Sequence, residues 1–116
     1  MAAADPAADP LNPVFKALSD PTRRALLELL RPGPRTTGEL CAAFPQFTRF
    51  AVIKHLGVLE EAGLIFVRPR GRMRWNHLNP APLHDLYNDW LRAFVARPPR
   101  AAKVAAAQAS LLAEEP

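Results

Sequence analysis

Residues 47–65 read FTRFAVIKHLGVLEEAGLI. Val52, Leu56 and Leu59 fall at i, i+4 and i+7, so they line one side of a helix, with Ala51 and His55 flanking the stripe. Thr48 stands where an N-cap belongs, and Gly63 where a helix can end in a left-handed residue. The other side of this helix carries Arg49, Phe50, Ile53 and Lys54. A helix that only packs into its own domain has little use for Phe and Ile on the outside. The outer side therefore asks for a partner.

The flanking sequence says which kind. Upstream, Thr36-Thr37-Gly38-Glu39 offers a capping box, with Thr36 and Glu39 each satisfying the other's N–H. The short helix it opens is predicted to run to about Phe44, where Pro45 stops it. A short helix and a following helix joined by about three or four residues form a helix-turn-helix. Downstream, Leu64-Ile65-Phe66-Val67 is apolar and β-branched, Pro69-Arg70-Gly71-Arg72 is a turn cluster, and Met73 to Leu78 reads as the return strand. A basic hairpin directly after a helix-turn-helix makes a winged helix. The fold class is thus mainly α with a small β-hairpin.

Charge placement supports this reading. The chain of 116 residues has 15 Lys and Arg against 11 Asp and Glu, a net charge of +4. No acid occurs from Leu40 to Leu59 or from Ala62 to His84, and the second span holds Arg68, Arg70, Arg72 and Arg74 around Gly71. In a winged helix-turn-helix the second helix of the pair enters the DNA major groove. Arg49 and Lys54 then suit phosphates, as do Thr48 and the positive helix end. Phe50 and Ile53 have two readings, contact with a thymine methyl or packing against the preceding helix. His55 is either a hydrogen-bonded, half-buried side chain or a further DNA contact.

Residues 1–10 contain Ala, Asp and Pro after Met1 and read as a disordered lead-in. A helix over Asn12 to Leu18 has Val14, Phe15 and Leu18 on one face. Ser19 or Asp20 then caps a helix beginning at Pro21, with Ala25, Leu26, Leu29 and Leu30 inward. Past Asn79-Pro80, the residues Leu83, Leu86, Tyr87, Trp90, Leu91, Phe94 and Val95 make a wide aromatic stripe, read as dimer core or as a ligand pocket. Pro98-Pro99 ends it, and an Ala-rich tail over 98–116 has high helix propensity. One domain is expected over 11–97.

The runs VFKALSDPTRRALLELL, TTGEL, FAVIKHLGVLEEAGLI and GRMRWNHLNP resemble the ArsR-type winged-helix transcriptional regulators over about residues 11 to 95. The resemblance implies a homodimer built by the first and last helices that represses a promoter until an effector binds. It places Thr48, Arg49, Phe50, Ile53, Lys54 and His55 on or beside the DNA-reading helix, and Arg70, Gly71 and Arg72 at the wing tip. It implies a dimer interface drawing on Val14, Phe15 and Leu18, and on Leu83, Leu86, Tyr87, Trp90, Leu91 and Phe94. Double-stranded DNA and a second copy are the expected partners. The family's arsenic sensors have Glu-Leu-Cys-Val-Cys, whereas Glu39-Leu40-Cys41-Ala42-Ala43 keeps one cysteine, and a soft-metal site needs two or three thiolates. Its zinc sensors use ligand pairs on the last helix that His84, Asp85 and Asp89 do not reproduce in spacing. No metal or other cofactor is therefore expected.

Cys41 reads as a small core residue or a redox sensor, and as the single cysteine it excludes an internal disulfide, in keeping with a cytoplasmic protein. The first ten residues show no signal-peptide pattern, and no apolar run approaches the ~20 residues of a membrane span. No catalytic grouping or phosphate-binding glycine loop stands out, so an enzyme is not expected. Three other roles fit the same fold: a metal- or redox-responsive sensor, a protein-interaction module with an acidic partner, and an architectural nucleic-acid binder without sequence preference.

Overall fold

The structure, a computed structural model, describes residues 5–95. The Ala-rich tail expected over 98–116 lies outside the described residues. Within the lead-in, Pro6–Ala8 form a 3-10 turn in which the Asp5 carboxylate accepts from the Ala7 N–H at 3.0 Å, and the Asn12 amide donates back to the Pro6 carbonyl.

Helix α1 spans Asn12–Leu18 and α2 spans Pro21–Leu30. Asp20 is the cap of α2, accepting from the N–H groups of Thr22 at 2.8 Å and Arg23 at 3.2 Å. Ser19 turns the other way and donates to the Lys16 carbonyl. Burial pushes the Asp20 carboxyl up, but the N–H bonds from Arg23 and Thr22, helped by the charges of His55 and Arg23, outweigh it and hold the group below its ordinary value. Two arginines of α2 then close the end of α1: Arg23 donates to the carbonyls of Ala17 and Lys16, and Arg24 to that of Leu18.

Of the residues expected inward on α2, Leu26 and Leu30 are buried and Ala25 and Leu29 are half-buried, while Leu27, not expected inward, is buried as well. The difference has a physical origin: α2 packs against α1, α4 and β3 at once, which widens and turns its buried stripe.

A strand invisible in the sequence pattern, β1 at Arg35–Thr36, precedes helix α3 at Thr37–Ala42. The Thr36 hydroxyl caps α3 by accepting from the Glu39 N–H at 3.1 Å. The Glu39 carboxylate instead lies 4.0 Å from Arg35, because Thr36 belongs to a strand. Helix α3 ends at Ala42, two residues earlier than expected, so residues 43–48 make a longer connection than the three or four predicted. Phe44 and Phe47, with ring centroids 6.2 Å apart, fill it.

Helix α4 spans Arg49–Glu61 and buries Val52, Leu56 and Leu59, the stripe read from the sequence. Each such side chain contributes about 1.5–3 kcal/mol when fully buried. Gly63, at φ 76°, turns the chain out of the helix. Strands β2 (Ile65–Arg70) and β3 (Met73–Leu78) then pair antiparallel around a two-residue turn, Gly71-Arg72, with Gly71 at φ 62°. Pro69 lies within β2 rather than in the turn. It is tolerated there because the sheet order β1-β3-β2 leaves β2 at an edge.

Helix α5 spans Ala81–Leu86, capped by the Asn79 side chain accepting from the Ala81 N–H. Asn79 also donates to the Gly63 carbonyl at 2.9 Å, which ties the foot of the hairpin. The buried core joins Val14 and Ala17 of α1 to the inner residues of α2, α3, α4, β2 and α5. Val14 and Leu86, expected at a subunit interface, are thus consumed by the chain's own core.

The chain divides after Leu86 into two compact units. In the second, Tyr87–Leu91 form a π-helical turn and α6 spans Arg92–Val95. The π turn breaks the regular 3.6-residue spacing on which the expected stripe was based. Among the described residues of this second unit none is buried: Tyr87, Trp90, Leu91, Phe94 and Val95 are all exposed, with Trp90 and Phe94 rings 4.8 Å apart.

Candidate nucleic-acid interface

Thr48 begins the site. Its hydroxyl accepts from the Ala51 N–H at 3.1 Å, which fixes the first turn of α4. Because Val52, Leu56 and Leu59 anchor one side, Arg49, Phe50, Ile53 and Lys54 are placed on the other, and all four are exposed. Phe50 is 77 % exposed and Ile53 44 %. Packing against the preceding helix therefore does not account for Phe50.

His55 takes the inward reading. It is half-buried, and its Nδ1 lies 3.3 Å from Nη1 of Arg23. His55 therefore braces α4 against α2 rather than facing outward.

The wing arginines divide between two faces, which linear sequence hides. Side chains alternate along a strand, so the pairs Val67–Asn76 and Pro69–Arg74 share one face, and Arg68–Trp75 and Phe66–His77 the other. Arg49, Ile53 and Gly57 of α4 line a groove of about 320 Å³ together with Val67, Arg74 and Asn76 of the sheet. Arg74 thus shares a surface with α4. Arg68 and Arg70 line a separate pocket with Trp75 and His77. Arg72 and Gly71 form the exposed hairpin turn. Among the described residues none of these four arginines forms an ion pair. Glu60 contributes the groove's carboxylate.

Asn76 was not singled out from the sequence, yet it fixes the geometry. It is 1 % exposed, and its amide donates to the Thr37 hydroxyl at 3.0 Å and the Arg35 carbonyl at 3.3 Å. The sheet is thereby tied to the start of α3. Its one sequence signal is an amide residue in the middle of a strand, where Asn is disfavoured. Arg35 was also passed over; its Nε donates to the Leu29 carbonyl at the end of α2.

The other candidates are less concentrated. Cys41 is half-buried and packs against the core. His84, Asp85 and Asp89 are exposed. Among the described residues no three His, Cys, Asp or Glu side chains cluster as metal ligands, and no helix is long and apolar enough to cross a membrane.

Comparison with known proteins follows the same outline. A family model described as a helix-turn-helix domain matches residues 18–68, from the end of α1 to β2. The transcriptional repressor SdpR of Bacillus subtilis (strain 168) is 36% identical over 85 residues, 73% of this chain and 92% of that protein. An HTH-type transcriptional regulator of Mycobacterium tuberculosis is 43% identical over 83 residues, 68% of this chain and 77% of its own length. Among solved structures, an ArsR family transcriptional regulator superposes with a TM-score of 0.68 at 36% identity, covering 73% of this chain and 91% of that one.

Proposed function

The chain belongs to the ArsR-type family of winged-helix transcriptional regulators, and on that premise we propose that it is a homodimeric repressor that binds double-stranded DNA at an imperfect inverted repeat. The observation that carries this reading is the shared groove, with the exposed side of α4 and Arg74 of the wing on one surface. Helix α4 enters the major groove with Phe50 and Ile53 against base edges. Arg49, Lys54, Arg72 and Arg74 neutralise phosphates, which fixes register without reading sequence. Two copies pair through exposed apolar residues, Phe15 of the first helix and Tyr87, Trp90 and Phe94 of the last, and reading two half-sites one helical turn apart calls for reading helices about 34 Å apart.

Release from DNA in this reading does not use the family's soft-metal site, since Cys41 has no second thiol to pair with. Selection from random DNA tests the proposal. Recovery of two half-sites spaced by one helical turn is the expected result, and enrichment of no motif, or of a single half-site bound by a monomer, would overturn it.

A further inference from the structure

The hairpin has a second face that the α4 groove leaves unused. Phe66, Arg68 and Arg70 project from it on β2, opposite His77, Trp75 and Met73 on β3. Phe66 stacks flat on His77, with centroids 4.8 Å apart and planes 4° from parallel, and the Arg68 guanidinium lies 5.2 Å over the Phe66 ring. Arg68 is thereby held in place by a cation–π contact rather than left to wander. Next to this stack, Trp75, Pro34, Pro69, Arg68, Arg70 and His77 line an open pocket of about 460 Å³.

The lining is chemically specific. The Trp75 indole and Pro34 make the apolar wall. The polar groups are two guanidiniums and an imidazole, and no carboxylate contributes. Among the described residues Arg68 and Arg70 have no ion-pair partner. A solvated hairpin needs no such arrangement of rings around paired cations. The volume falls in the range of small-molecule sites.

We propose that this pocket binds a small aromatic carboxylate. Its ring lies against Trp75 and Pro34, and its carboxylate is clamped by Arg68 and Arg70 through charge-assisted hydrogen bonds. The proposal is independent of the DNA reading, because the site faces away from the groove that holds Arg49 and Arg74.

The chain has two tryptophans, Trp75 and Trp90, so its nitrogen-15 NMR spectrum contains two indole N–H signals, told apart with Trp90→Phe. Full-length protein is titrated with 2-naphthoate, with neutral 2-naphthamide and with acetate. The expected result is a saturable shift of the Trp75 signal with 2-naphthoate, and binding about tenfold weaker for the amide and for acetate. Arg68→Gln and Arg70→Gln change exposed side chains and keep the fold, and each is expected to weaken 2-naphthoate about tenfold. No saturable shift, equal affinity for 2-naphthamide, or unaltered binding in both variants would overturn the proposal.

Discussion

Phe50 is the residue on which the reading of α4 turns. At 77 % exposure it contributes little to the fold, so Phe50→Ala is expected to move stability by no more than about 0.5 kcal/mol. Leu59, fully buried on the same helix, is expected to cost about 2–5 kcal/mol when cut to Ala. If Phe50 and Ile53 meet base edges, their Ala variants keep the wild-type melting temperature but change the bases recovered from random DNA. Loss of stability with unchanged base preference would assign them to packing. Asn76 is expected to behave in the opposite way. Asn76→Ala leaves the buried Thr37 hydroxyl without its donor, and denaturant unfolding should show a loss of about 1–3 kcal/mol. These two residues also mark what sequence could and could not reveal. Phe50 stands out because it breaks a helical stripe that neighbours define. Asn76 stands out only after folding, since its partners Thr37 and Arg35 lie 39 and 41 positions away.

At the level of single elements, local chemistry was legible wherever it was local. The cap at Thr48, the stripe of α4 and the turn at Gly71 each depend on residues within one or two turns of chain, and each was read correctly. The misreadings of β1, of Leu27 and of the wing rows came from partners far along the chain, whereas the C-terminal stripe was misread because of a local π turn. Strand β1 has two residues and no alternation of its own; it exists because β3 supplies the pairing for Arg35 and Thr36. Leu27 is buried because α2 has three neighbours, which helical periodicity does not encode. The outward row of the wing was merged with the inward one because strand register, not composition, separates Arg68 from Arg74.

The cap of α2 offers a test of its own. The Asp20 carboxyl is held below its ordinary value, so its folded pKa lies under its unfolded one. Its stabilising contribution is therefore present above the unfolded value and is lost as pH falls through the folded value. Asn caps as well as Asp but does not titrate. Between about pH 6 and about pH 3 the wild type is expected to lose more unfolding free energy than Asp20→Asn. Equal losses would show that Asp20 is not a source of the acid sensitivity.

For the molecule as a whole, the exposed apolar residues of the second unit are the least comfortable feature of a single chain. Phe94 is 65 % exposed and Val95 57 %. Covering them with a second copy removes that surface from water at about 25 cal/mol per Å². Sedimentation of the wild type is expected to report a dimer, and Phe94→Asp a shift toward monomer with weakened DNA binding. A dimer unaffected by Phe94→Asp would place the interface elsewhere.

The central claim is that α4 and the inner row of the wing grip DNA phosphates together. Affinity for a selected DNA site, measured against salt concentration by fluorescence anisotropy, tests it most directly. Each phosphate contact contributes about −0.9 to the slope of log affinity against log salt. The wild type is expected to show a steep slope, and Arg74→Ala and Arg49→Ala each to reduce it by about 1, while Arg68→Gln leaves it nearly unchanged. A wild-type slope near zero, or a reduction confined to Arg68→Gln, would contradict the account.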